Sequence, residues 1–206
     1  MKKVVFLDRD GTINKEIGYL HRREDFEFIP KAAEAIRLLN ENDFMVVVVT
    51  NQAGVAKGIY KEKDVLRLHD YIQSELKKVN ARIDEFCYCP YHIDGVIEEY
   101  KRDSIYRKPG IGMFAQIDKM VGVDKAGSWM IGDMLSDIQA GLNFGIHTIL
   151  VSTGYGRKNY ESGVDQYDYY VSDIFEAVEL ILSKSGSYYT EENGDKNANK
   201  IKTSYT

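Results

Sequence analysis

Two aspartates, Asp8 and Asp10, stand one residue apart at the end of the apolar run Val4-Val5-Phe6-Leu7, and Gly11-Thr12 follows them. Ionised carboxylates that close repel each other, and a hard cation with oxygen ligands relieves the repulsion. A carboxylate can also attack phosphorus, and a second one beside it can manage protons. A polar turn built on Asp10-Gly11 is the plainer reading of the same residues. Three more sets lie further on: Thr50-Asn51-Gln52-Ala53-Gly54, Arg107-Lys108-Pro109, and Gly132-Asp133 with Asp137 one turn later. Carboxylates, a hydroxyl, an amide and a lysine in one place are the parts of phosphoryl transfer through an aspartyl intermediate. One carboxylate attacks, a magnesium ion neutralises charge, a lysine acts as a point charge, and hydroxyl or amide protons meet the phosphoryl oxygens.

For these groups to meet, the chain must bring several strand ends to one edge. The run before Asp8 reads as a strand, and residues 44–49, with four consecutive valines, read as one buried on both faces. Pro30 opens an amphipathic helix on Ala32, Ala33, Ala35, Ile36, Leu38 and Leu39. A second helix is expected over 62–79, a strand over 83–88, a helix over 111–121 and strands over 128–131, 147–151 and 169–171. A last helix is expected over 174–182. Residues 15–29 and 89–109 read as long loops, which are uncommon unless functional. Strands alternating with helices imply right-handed crossovers, hence an α/β fold: a Rossmann-like three-layer sandwich with a mainly parallel central sheet. Ligands bind at the carboxyl edge of such sheets, where these residues would fall. No stretch is left over for a cap domain, so an open site shaped by loops 15–29 and 89–106 is expected.

The chain of 206 residues is expected to hold one domain over 1–183 and a disordered polar tail over 184–206. A composition of 44% apolar and 29% charged residues suits a folded core. The net charge of −5, with no basic stripe, argues against nucleic-acid and membrane-surface partners. The apolar run near the start is too short for a signal peptide, and none is long enough to span a membrane. Cys87 and Cys89, about 6.6 Å apart if both lie on one strand, make no disulfide framework and point to a reducing, cytoplasmic setting. A monomer is expected.

The motifs resemble, in order, those of the haloacid dehalogenase-like phosphatases. Asp8-Arg9-Asp10-Gly11-Thr12-Ile13-Asn14, Gly18-Tyr19, Thr50-Asn51-Gln52 with Gly54, Arg107-Lys108-Pro109 and Gly132-Asp133 are similar to the D-glycero-D-manno-heptose 1,7-bisphosphate phosphatases. The histidinol phosphatases are close relatives of these, and the resemblance covers about residues 3–182. It implies Asp8 as nucleophile, Asp10 as general acid and then base, and Thr50 and Lys108 as holders of the phosphoryl group. It implies magnesium on Asp8, the backbone carbonyl of Asp10, and Asp133. It also implies contacts from Glu16, Gly18, Tyr19, Asn51, Gln52, Lys57 and Arg107 to a small phosphorylated sugar. Arg9 is expected to point to the other side of the chain.

The chain also departs from that pattern. Relatives carry a structural zinc in the loop before Arg-Lys-Pro, and here Tyr91, Ser104 and Tyr106 replace three of its ligands. Cys87, Cys89 and His92 offer three at most, where a structural zinc wants four. Loss of zinc is expected, with Tyr88, Tyr91, Tyr100 and Tyr106 packing the loop instead. Lys57 stands where arginine is common, and Met134 where lysine can occur. Asp137 reads equally as a helix-start charge. His21, His69 and His147 read as surface or packing residues. A histidinol-phosphate phosphatase, a DNA 3′-phosphatase and a receiver-type phospho-acceptor domain are the rival functions.

Overall fold

Phe6 packs against one layer of helices and Leu7 against the other, because successive side chains of a strand point to opposite faces. A computed structural model describes residues 1–163 and 166–186. Six parallel strands form one sheet in the order β3-β2-β1-β4-β5-β6. They are β1 (Val4–Leu7), β2 (Met45–Asn51), β3 (Glu85–Cys89), β4 (Trp129–Gly132), β5 (His147–Val151) and β6 (Tyr169–Val171). Val5, Leu7, Val46, Val48 and Ile131 face α1 (Ala32–Glu41), α2 (Glu62–Lys77) and α6 (Ile174–Lys184). Val4, Phe6, Val47, Val49 and Met130 face α3 (Gly112–Val121) and α4 (Leu135–Phe144). The expected three-layer α/β sandwich is therefore present, and its sheet is parallel at every pairing described.

The register fixes where the polar groups fall. Leu7 lies opposite Val48 on one side and Ile131 on the other. Asp8 and Asp133, just past their strands, and Thr50, near the end of β2, thus gather at one edge of the sheet.

Several boundaries differ from the sequence expectation. Pro30 does not begin α1. Lys31 intervenes with φ 62, a left-handed conformation, and Ala32 is the first helical residue. Thr50 and Asn51 belong to β2 rather than to the loop after it, because they pair with Tyr88 and Cys89 of β3. A helix not read from sequence, α5 (Gly156–Glu161), follows β5. The last helix reaches Lys184, past the expected boundary, and residues 187–206 of the expected tail lie outside the described residues. Among the described residues no helix is long and apolar enough to cross a membrane.

The long loop before Arg107 folds onto the start of α2. Tyr88 and Tyr100 both donate to the Glu62 carboxylate, at 2.5 and 2.7 Å. Tyr91 lies against Tyr100, and Arg102 stacks over the Tyr91 ring at 3.9 Å. Tyr106 does not join them; it is 41% exposed. Val96 and Ile97 donate their N–H groups to the Ala56 carbonyl, which joins this loop to the one after β2.

At the opposite edge of the sheet one buried hydroxyl closes the backbone account. Ser128 Oγ accepts the Val4 N–H at 2.9 Å and donates to the Asp124 carbonyl at 2.6 Å. Val4 and Ser128 are fully buried. Ser128→Ala leaves the Val4 N–H without a partner, and should cost about 1–3 kcal/mol of stability, read as a lower urea midpoint at unchanged slope.

Candidate active site

The acidic groups are brought together by the ends of β1 and β4. Carboxylate oxygens of Asp8, Asp133 and Asp137, all buried, lie within 4.8 Å of one another. Lys108 reaches them from the segment before α3. Its Nζ donates to Asp8 Oδ1 at 2.6 Å, to Asp137 Oδ1 at 2.8 Å and to the Val49 carbonyl at 2.5 Å. An ammonium has three protons, so all are engaged within the protein. Burial alone would lower the Lys108 pKa, but Asp137 and Asp8 raise it, and the lysine stays charged.

Glycines make the crowding possible. A Cβ on Gly11, which has φ +86, would stand 2.3 Å from Asp133 Oδ2. One on Gly132 would stand 2.3 Å from Asp137 Oδ2. Asp137 meets both readings offered for it. Its Oδ2 accepts the Met134 N–H at 3.0 Å, at the start of α4, while its Oδ1 meets Lys108.

Three carboxylates around one lysine leave an excess of buried negative charge. Burial, with Asp137 and Asp10 adding to it, pushes Asp8 up to about 7 against the pull of Lys108. Burial, with Asp8 and Asp137, pushes Asp133 up to about 9. Asp133 Oδ1 is buried with no hydrogen-bond partner. An unpartnered carboxylate oxygen beside two more acids fits a hard divalent cation.

Asp10 lies outside this cluster and has a charge partner of its own. Arg9 Nε donates to its Oδ1 at 3.1 Å and Arg9 Nη2 to its Oδ2 at 2.8 Å. This corrects the expectation that Arg9 points away. The strand ends at Leu7, and the turn that follows, in which the Arg9 carbonyl accepts N–H groups from Ile13 and Asn14, breaks the two-residue alternation. Arg9 is fully buried, and its Nη1 lies 3.3 Å from His69 Nε2. His69 is a packing residue as expected, stacked on Phe86. Burial, with Arg9 adding to it, pushes its pKa down to about 3, so the ring is neutral and accepts from Arg9.

Two amides complete the Asp10 shell: Asn14 Nδ2 on Oδ1 at 3.0 Å and Gln52 Nε2 on Oδ2 at 3.1 Å. Burial pushes the Asp10 carboxyl up, yet Arg9 and the amides outweigh it and hold the group below its usual range. Gln52 is buried and reaches three partners. Besides Asp10, its Nε2 meets Thr50 Oγ1 at 2.8 Å, and its Oε1 takes the Tyr60 hydroxyl at 2.7 Å. Asn51 is paired reciprocally with the Lys108 backbone, at 3.1 and 3.0 Å.

The other residues expected at the substrate make contacts of their own. The Glu16 carboxylate accepts the Gly18 N–H, and Lys57 Nζ donates to the Tyr19 hydroxyl at 2.8 Å. Arg107 is half-buried and its Nη1 has no partner. Cys87 and Cys89 are buried free thiols, and His92 Nδ1 accepts the Asp94 N–H at 3.0 Å.

Sequence reasoning missed the part of Arg9, Asn14 and Tyr60, and the whole segment after β5. Thr153-Gly154-Tyr155-Gly156 carries two glycines directly after a buried strand, which is a signal for close backbone approach at the carboxyl edge.

Known proteins resemble this chain in sequence and in fold. The HAD-hydrolase-like family model matches residues 105–177. A D-glycero-alpha-D-manno-heptose-1,7-bisphosphate 7-phosphatase of Photorhabdus laumondii is 41% identical over 154 residues, covering 74% of this chain and 84% of the relative. A D-glycero-D-manno-heptose-1,7-bisphosphate 7-phosphatase of Chlorobaculum tepidum is 40% identical over 186 residues, 85% of this chain and 92% of the relative. Among solved structures, D,D-heptose 1,7-bisphosphate phosphatase from B. bronchiseptica, complexed with magnesium and phosphate, superposes with a TM-score of 0.80 at 30% identity. That match covers 88% of this chain and 99% of the other. With such identity over most of both chains, this chain belongs to the haloacid dehalogenase-like phosphatases, in the group of the heptose 1,7-bisphosphate 7-phosphatases.

Proposed function

We infer that the protein is a magnesium-dependent phosphoric monoester hydrolase. Its substrate is a small sugar phosphate, best matched by the 7-phosphate of D-glycero-D-manno-heptose 1,7-bisphosphate. The observation that carries this reading is the buried Asp8–Lys108 contact of 2.6 Å inside a three-carboxylate cluster, with Asp10 held separately beside it.

Asp8 is the nucleophile. One of its oxygens attacks phosphorus, and the bond from phosphorus to the sugar oxygen breaks with its electron pair on that oxygen. A proton from Asp10 completes the departing hydroxyl. Asp10 then takes a proton from water, whose oxygen attacks phosphorus; the acyl phosphate breaks and Asp8 is restored. Asp8, the Asp10 carbonyl and Asp133 would hold a magnesium ion, which would supply positive charge against the phosphoryl oxygens. Lys108 orients Asp8 and balances Asp137; its three engaged protons suit that task. Thr50 Oγ1 accepts from Gln52, which leaves the hydroxyl proton for a phosphoryl oxygen. In the free protein Arg9 keeps Asp10 ionised, the form needed for the second step. An arriving phosphate dianion raises it by like-charge repulsion, towards the form needed for the first.

Lys57 and the half-buried Arg107 supply two cations among the residues expected at the substrate, which suits a second phosphate. That favours a bisphosphate over histidinol phosphate, whose ammonium both would repel. Glu16, Gly18, Tyr19 and Asn51 are assigned to the same substrate site, and the tyrosine-packed loop takes the place of a structural zinc. The site is complete within one chain, which suits a monomer, and the buried thiols suit a reducing cytoplasm. A panel of heptose 1,7-bisphosphate anomers, histidinol phosphate and hexose phosphates tests the reading. Preferred turnover of a heptose bisphosphate is expected, and turnover of histidinol phosphate alone would overturn it.

Asp8→Asn should abolish turnover with the fold intact by circular dichroism. Asp10→Asn should act twice: turnover drops about 10²–10⁴-fold, and the buried Arg9 loses its counter-charge, at about 3–5 kcal/mol of stability. Paired kinetics and urea unfolding would show both effects, and an unchanged urea midpoint would contradict the ion-pair argument.

Cation binding needs Asp8 and Asp133 ionised, whereas burial holds them protonated to about 7 and about 9. Affinity should therefore rise with pH across this range, with protons released on binding. By the same sign, the metal-free protein loses stability as pH rises from the ordinary carboxyl value of 3.8 to about 7 for Asp8 and to about 9 for Asp133, and magnesium should restore it. Calorimetry at pH 7 in buffers of different protonation enthalpy should report net proton release; none would count against it.

A further inference from the structure

Two loops carry the acidic groups, residues 8–14 after β1 and 132–137 after β4. A third loop, residues 152–156 after β5, touches both. Thr153 Oγ1 donates to the Gly11 carbonyl at 2.6 Å. The Tyr155 N–H donates to Asp133 Oδ2 at 2.7 Å. From α5, Asn159 Nδ2 donates to the Asp133 backbone carbonyl at 2.7 Å. Gly154 passes between the two loops with φ +55. A Cβ there would stand 2.1 Å from Asp133 Oδ2 and 2.7 Å from Gly11 Cα, so only a bare backbone fits. The two oxygens of Asp133 are thereby made different. Oδ2 is taken by Tyr155, whereas Oδ1 is buried without a partner.

We propose that residues 153–159 are a positioning strap. It selects Oδ1 of Asp133 as the oxygen offered to a divalent cation, and it ties the Asp133 loop to the Asp8 loop so that the two ligands keep one spacing. The segment acts through Asp133 and Gly11. Hydrogen bonds that orient a ligand from behind typically change metal affinity 10–100-fold when removed. The proposal rests on the reading of the acidic cluster as a cation site.

The test is direct binding of Mn2+ to the full chain without substrate, followed by the paramagnetic resonance of the free ion. Thr153→Val keeps shape and removes the donor, and Thr153→Ser restores it. Asn159→Ala removes the second tie and carries the comparison if the valine variant fails to fold. Loss of about tenfold in Mn2+ affinity is expected for Thr153→Val and Asn159→Ala, with the serine variant within about twofold of wild type. The magnesium concentration for half-maximal turnover should shift in parallel. Wild-type affinity in folded Thr153→Val and Asn159→Ala overturns the strap, as does a loss that serine does not rescue. A wild-type protein that binds no Mn2+ overturns instead the cation reading beneath it.

Discussion

Three buried carboxylates share one lysine, and most of the local structure answers to that imbalance. Asp8, Asp133 and Asp137 come from two strand ends and a helix start, and their oxygens meet within 4.8 Å. Lys108 can neutralise only one of them. What remains is a concentration of negative charge largely withdrawn from water, in a region where charges interact far more strongly than in solvent. The chain tolerates it because the backbone there is mostly glycine at the points of closest approach. Gly11, Gly132 and Gly154 each sit where any Cβ would strike a carboxylate. The cost is a metal-free site that favours protonated acids, which a divalent cation would relieve.

Asp10 is two residues from Asp8 yet belongs to a different electrostatic compartment. Its counter-charge is Arg9, and Arg9 is in turn backed by a neutral histidine from α2. One motif thus holds two acids of opposite character: one pushed up by burial and like charge, one held down by a guanidinium fork. Such a separation is how neighbouring carboxylates are given different tasks at one pH.

The strands were legible because a sheet covered on both faces writes its strands as unbroken apolar runs, such as Val46 to Val49. The acids were legible because carboxylates rarely follow such runs without a reason. The direction of Arg9 is not legible in the sequence, because strand alternation holds only as far as Leu7 and the chain has turned by residue 9. Nothing in the spacing of Gln52 tells that Tyr60 holds its amide. That contact exists because Gly54 leaves room for the Tyr60 ring: a Cβ there would stand 2.2 Å from it. The segment after β5 was missed because its contributions are backbone N–H groups and a short hydroxyl, which leave little mark on residue type. Lys31 shows the limit of propensity: a proline at a helix start predicted the boundary, and a left-handed lysine moved it.

The position of β1 in the sheet has a consequence for how the protein is made. The first strand of the chain lies in the middle, between β2 and β4. During synthesis β2 emerges soon after it, but roughly 80 further residues separate the end of β2 from the start of β4. At about 5–20 residues per second, the far edge of Val4–Leu7 waits on the order of ten seconds for its partner. Throughout that interval the nascent chain displays an apolar strand with free backbone groups on one side, the arrangement most prone to pairing with another chain. Expression should therefore depend on how quickly the ribosome reaches β4 and on what shields that edge until it does.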